Sequence, residues 1–180
     1  MLTLAPTAMA TLRTFAELES YVEAPGTEGM KLRGFIAFED RLSVISKTKN
    51  LTGGIIDGAT TLDGQATTEL FSLSDTTLRL EDMALQNGRS ETHGGCLSAR
   101  RSILVFVDVV VSNCAADAEG GAFFLADESF LHASQSLFLA NAAKRGGLAS
   151  LSVLHSFIHS FMQSWKNTPR SFNCNNMAAS

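Results

Sequence analysis

Two stretches decide the fold: TLRLEDMALQN, Thr77 to Asn87, and ILVFVDVVVSN, Ile103 to Asn113. Sliding the chain by 26 residues lays one on the other, so that Leu78 meets Leu104, Leu80 meets Phe106, Asp82 meets Asp108 and Leu85 meets Val111. The same shift carries Gly94-Gly95 onto Gly120-Gly121 and then onto Gly146-Gly147, and each pair follows an asparagine: Asn87, Asn113 and Asn141. A third copy, FLHASQSLFLAN from Phe130 to Asn141, slips by one or two residues. A degenerate fourth, VLHSFIHSFMQS, runs from Val153 to Ser164. Upstream, Leu70 to Leu73 takes the place held by Ala122 to Leu125 and by Leu148 to Leu151, which implies an earlier turn with Ala59 to Gly64 as its loop. A repeat of this length is the mark of a stacked architecture.

Within each copy the apolar residues alternate, Leu78 and Leu80, then Met83 and Leu85, then Cys96 and its successors. Period two means strand. Three short strands per unit, separated by polar or glycine corners, give a triangular coil whose strands stack in parallel about 4.8 Å apart. The expected fold is therefore all-β, a right-handed parallel β-helix. A Leu-rich repeat would need its own Leu spacing and helical repeats long runs of period 3.6, and neither fits Thr77 to Gly147.

Stacked sheets need covered ends. Leu12, Phe15, Leu18 and Val22 fall at helical spacing, and Thr14 with Glu17 has the form of a capping box, so an N-terminal capping helix is expected. Residues Leu154 to Trp165 fit a helical face and the repeat alike; the repeat is preferred, which makes them strands. The expected organisation is a cap segment over 1–39, the β-helix over 40–166 and a tail over 167–180.

The chain has 180 residues, 45% of them hydrophobic and 18% charged, enough for one ordered domain. A net charge of -4 without clustered Lys and Arg argues against a nucleic-acid partner. The longest apolar run, Ile103 to Val111, is too short to span a bilayer as a helix. Three cysteines, Cys96, Cys114 and Cys174, stand at no metal-ligand spacing, and an odd count does not make a disulfide framework, so they do not settle the redox compartment. Ala8-Met9-Ala10 has the style of a signal-peptidase site, but the start lacks a charged region and a sustained apolar run.

The glycine pairs read as corners, because no Lys-Ser/Thr follows them. The asparagines read as a corner ladder. Asp82 and Asp108 are expected to stack about 4.8 Å apart, with Ser136 in their place in the next coil. They are the calcium candidates, weighed against two solvated corner carboxylates; no other cofactor is implied. His93, Glu119 and Arg145 should form a surface charge column, and Arg101 should lie over Asp127. The loop acids Asp57 and Asp63 join Asp82 and Asp108 as candidates for a binding surface. His132, His155 and His159 stand at no metal spacing.

Phe138-Leu139-Ala140-Asn141 together with Gly120-Gly121-Ala122-Phe123 resembles the repeat of polymorphic outer-membrane proteins, Phe-x-x-Asn followed by Gly-Gly-Ala. The resemblance covers about Leu51 to Ser164, although Val110 and Ala84 replace the Phe, and Cys96 and Leu148 the Ala, in other copies. It implies a pectin-lyase-like β-helix, an adhesin-like extracellular or cell-surface role, and carbohydrate or another surface protein as partner. The expected function is a non-catalytic β-helix module. The alternative is a polysaccharide lyase or glycoside hydrolase, for which Asp57, Asp63, Arg100 and Arg101 are available; His93-Gly94-Gly95 is the nearest fragment to the polygalacturonase motifs. No catalytic residue is assigned.

Overall fold

The computed structural model describes residues 11–27, 29–45, 47–53, 60–147, 149–152 and 158–161. The chain enters through β1 (Thr11–Leu12), α1 (Phe15–Glu23), β2 (Gly29–Leu32) and β3 (Phe35–Ala37). One coil then runs β4 (Leu42–Ile45), β5 (Thr48–Thr52) and β6 (Thr60–Asp63). The next comprises β7 (Phe71–Ser74), β8 (Thr77–Gln86) and β9 (Arg89–Ser90), and a third β10 (Leu97–Arg100), β11 (Ile103–Ser112) and β12 (Ala115–Glu119). A fourth comprises β13 (Phe123–Ala126), β14 (Phe130–Ser134), β15 (Leu137–Leu139) and β16 (Ala142–Arg145), and β17 (Ala149–Ser152) and β18 (Ile158–Phe161) follow.

These strands stack into sheets ordered β1-β2-β5-β8-β11-β14-β18, β17-β13-β10-β7-β4 and β16-β12-β9; β6 and β15 pair along the second halves of the long strands β8 and β11, and β3 pairs with β6. The result is the parallel β-helix that the repeat predicts. Leu97 pairs with both Phe71 and Phe123, one repeat away on either side. Ile158–Phe161 is a strand on β14, as the repeat alignment required. The segment 1–39, expected as a cap, contributes the strands β1, β2 and β3 to the sheet as well as the helix.

The corners explain the periodic Asp and Asn residues. Each is a point where the backbone turns through positive φ, a region that Asn, Asp and Gly tolerate best. Asp75 (φ 53) and Arg101 (φ 45) turn the chain into the long strands, Asp82 (φ 54) and Asp108 (φ 52) bend them, and Asn87 (φ 53) and Asn113 (φ 56) end them. In the fourth coil the bend falls on Gln135 (φ 52), one residue before the expected Ser136. An extra residue enters at the corner where Asp127 (φ 49) and Glu128 (φ 64) both turn left-handed. Pairing there moves to 27 residues, with Ser136 Oγ accepting from Val109 N at 3.2 Å. An irregularity between Ala116 and Glu119 opposite β16 restores the register.

The same insertion breaks the expected asparagine ladder. Ala140 takes the left-handed place (φ 52). Asn141 instead reaches back, accepting from Cys114 N at 3.0 Å and donating to Val111 O at 3.1 Å.

Inward residues form continuous columns. Leu78, Leu104 and Leu131 stack in one, and Leu80, Phe106 and Ala133 in another, all buried. Each large side chain removed from water contributes about 1.5–3 kcal/mol. Phe106 packs edge-on to Phe123 at 5.6 Å, and Phe123 to Phe138 at 5.5 Å, which fills the bore where Ala133 leaves room. At the N-terminal end Phe15, Phe38 and Phe71 form a second stack from the helix inward, with centroids 5.2 and 5.6 Å apart.

Helix α1 closes that end as predicted. Thr14 Oγ1 accepts from Glu17 N at 3.2 Å while Glu17 Oε2 accepts from Thr14 N at 3.1 Å, and Phe15, Leu18 and Val22 are buried. Its C-terminus is held by a device the sequence did not disclose. Lys49 occupies the inward column below Leu78, 1% exposed. Its ammonium donates to Tyr21 O and Ala24 O, both at 2.8 Å, and sits 4.4 Å from the Tyr21 ring centroid. Lys47 donates to Val22 O and Glu23 O. Two cations thus satisfy the last carbonyls of the helix, where its dipole is negative. Burial, and then the charge of Lys47, lowers the pKa of Lys49 from its usual value. Lys49→Ala should cost about 3 kcal/mol, because the buried Lys49 stem leaves a gap in the inward column and two charge-assisted hydrogen bonds to the helix carbonyls are lost. A shift of the urea midpoint no larger than that of an exposed Lys31→Ala control would refute this clamp.

One expectation about cysteines is overturned. Cys96 and Cys114 form a disulfide, with Cα atoms 5.4 Å apart. Parity was a poor guide, since it counted Cys174, which lies outside the described residues, with a pair that the coil brings side by side.

Candidate functional site

The outward residues of the long sheet make a regular grid. One column runs Thr48, Thr77, Ile103, Phe130 across β5, β8, β11 and β14. Beside it lie Asn50, Arg79, Val105, His132, then Thr52, Glu81, Val107, Ser134. Neighbours along a column are separated by one strand spacing, about 4.8 Å. The grid changes character along the solenoid axis: hydroxyl, amide and charged groups on β5 and β8 give way to aliphatic groups on β11. Ile103 is 46% and Phe130 37% exposed, side by side on adjacent strands. Inward rows must be apolar to pack, but nothing in the packing demands exposed apolar groups on this outer face.

At its polar end the first column enters an open groove of about 470 Å³, lined by the Pro25–Thr27 turn with Lys47, Thr48, Asp75 and Thr77. Asp75 is fixed there by Arg101, whose Nε and Nη2 donate to its two oxygens at 2.7 and 2.8 Å. That fork lowers the Asp75 pKa and raises that of Arg101. Arg101 was expected to lie over Asp127; its backbone N–H does donate to Asp127 O, but its guanidinium turns the other way along the stack, to Asp75.

The acids singled out in the sequence separate into different roles. Asp63 is 5% exposed and accepts from Gln65 N at 2.6 Å, Gln86 Nε2 at 2.6 Å and Asn87 Nδ2 at 2.9 Å. It ties the end of β6 to the corner after β8, its carboxylate buried among these donors. Asp57 lies outside the described residues. Asp82 is half-buried and Asp108 exposed at the bends of β8 and β11, and both have the left-handed backbone that explains their residue type. Among the described residues no group of three or more His, Cys, Asp or Glu side chains is placed to hold a metal ion. The predicted column is present: Arg145 Nη2 lies 2.8 Å from Glu119 Oε1, and His93 bridges to Glu119 through the backbone.

The most perturbed carboxyl was missed. Glu69 has a side chain 5% exposed, with Oε2 accepting from Arg41 Nη1 at 3.3 Å and Oε1 buried without a partner. Burial pushes its pKa up to about 7, against the lowering effects of a Ser98 hydrogen bond and of Arg41. The sequence did carry a signal. Because Phe71 pairs with Leu97, Glu69 stands at the place of Gly95, so a charged residue replaces a repeat glycine.

The geometry defines a parallel β-helix module with an amphipathic outer sheet face that runs into a polar groove. No protein-family model, curated protein or solved structure matches this chain. Among the described residues no helix is long and apolar enough to cross a membrane.

Proposed function

We propose that this chain is a non-catalytic, adhesin-like β-helix module that binds carbohydrate along the outer face of β5, β8, β11 and β14. The column Thr48, Thr77, Ile103, Phe130 carries the reading. A sugar chain presents hydroxyl edges and apolar ring faces in alternation, and this column offers hydroxyls first and then an aliphatic and an aromatic surface in line. The rigid stack fixes these groups without the ordering cost that a loop-built site would meet. The resemblance of the Gly-Gly-Ala-Phe segment to surface-protein repeats points the same way.

A lyase or hydrolase reading draws on one observation, the raised pKa of Glu69, which suits a general acid. A hydrolase also needs a second carboxylate across the scissile bond. The partnerless oxygen of Glu69 is buried away from solvent, and Asp63 is already committed to three donors.

Affinity electrophoresis against polygalacturonate, xylan and cellulose derivatives tests the binder. Phe130→Ala and Ile103→Ser should each weaken retention about tenfold, as expected for an exposed anchor worth more than 1 kcal/mol. Retention equal to the parent in both variants would remove the column from the site. Reducing ends or double-bond absorbance accumulating from polygalacturonate, with or without calcium, would favour the enzyme.

A further inference from the structure

Cys96 immediately precedes β10 and Cys114 immediately precedes β12, and both side chains are fully buried. Equivalent places in the flanking coils hold no cysteine: Leu70 and Gly88 precede the pair, and Ala122 and Asn141 follow it. The pair is thus a local departure from the repeat. The neighbouring coil makes room for it, since a Cβ on Gly88 would stand 2.6 Å from Cys96 Sγ. The Cα separation of 5.4 Å lies in the range that disulfides take without moving the backbone.

From this geometry we infer that Cys96 and Cys114 are an internal redox lock, closed by oxidation as the third coil forms, and that the chain matures in an oxidising compartment. The cross-link joins the two ends of the segment holding β10 and β11. It therefore fastens the coil that presents Ile103 and Val105 on the outer face. The lock is independent of which ligand that face binds.

Closure proceeds by thiol–disulfide exchange with a low-molecular-weight disulfide such as glutathione disulfide. One cysteine thiolate attacks a glutathione sulfur and expels a glutathione thiolate. The second cysteine thiolate then attacks the protein sulfur of the mixed disulfide and expels the other glutathione. Two protein thiols lose two electrons and two protons, and one glutathione disulfide becomes two glutathione thiols. Once the coil is stacked, burial keeps reductants from the bond, as for other structural disulfides. Stable disulfides of this kind belong to secreted and surface proteins.

The test is a thiol count on the full chain refolded in a glutathione redox buffer. Denatured and alkylated without reduction, it should take up one alkyl group, on Cys174, and after reduction three. Peptide mapping should show the Cys96–Cys114 link. Three groups without reduction, or a link that includes Cys174, would overturn the assignment. For the lock itself, Cys96→Ala with Cys114→Ala should lower Tm by about 10 °C, matching the parent unfolded and refolded under reductant. A reduced parent that melts within about 2 °C of the oxidised one would show a bond without a locking role, and this comparison needs no variant to fold.

Discussion

Gly121→Ala is expected to abolish cooperative folding or lower stability by about 4 kcal/mol or more, the range reached only by severe packing faults. The added methyl would stand 2.0 Å from Gly147 O and 2.5 Å from Ala142 N. Those atoms are backbone of the next coil, so no side-chain rotation relieves the clash and the coils must separate. Separation breaks ladder hydrogen bonds around the whole turn, because a solenoid's stability resides in contacts between neighbouring repeats. Gly95→Ala meets the same obstacle in Gly121 O, at 2.2 Å. Gly34 is the control: its φ of +80° strains any side chain, but no atom lies within 4 Å of its added Cβ. Gly34→Ala should therefore cost only about 1 kcal/mol. Urea midpoints measured side by side decide between them; equal losses would mean that the close approach of the coils does not select the second glycine of the pair. In each pair the first glycine, such as Gly120 at φ +67°, serves the turn, and in the first two pairs the second, Gly95 or Gly121, serves the approach of the coils.

Glu69→Gln should stabilise the protein above pH 7 and leave it nearly unchanged near pH 5. The Glu69 pKa is raised from 4.5 to about 7 in the folded chain, so the fold binds this proton more tightly than the unfolded chain does. Its contribution is fully present below about pH 4.5 and is lost as pH rises through about 7. Linkage makes that loss about 3 kcal/mol, since each pKa unit is worth about 1.36 kcal/mol. Glutamine removes the titration while keeping the shape. The stability difference, variant minus parent, measured by urea unfolding from pH 5 to 8, should rise toward that value. A flat difference would show that water or Arg41 already solvates the buried carboxylate.

Much of this was readable from periodicity. The alternation from Thr77 to Leu85 and from Ile103 to Val111 fixed the strands and their inward rows, because a side-chain period of two leaves one choice of face once the interior must be dry. The capping box at Thr14 and Glu17 is equally local, since both partners lie within one helical turn. Even the His93, Glu119 and Arg145 column follows from arithmetic on a constant repeat.

What the sequence alone left undetermined depends on where the repeat fails. One residue inserted near Asp127 and Glu128 puts the bend on Gln135, 27 residues after Asp108, and takes Asn141 out of its ladder, and only three-dimensional pairing shows where the slip is absorbed. The burial of Glu69 and Lys49 and the meeting of Cys96 with Cys114 depend on which coils lie above and below. The exposed pair Ile103 and Phe130 stands outside the core for the same reason: strand alternation gives two faces, and packing against the bore decides which one water sees. Sequence period thus determined the helix of strands, while the stacking of unlike residues at equivalent places decided its charge burial, its cross-link and the face offered to a ligand.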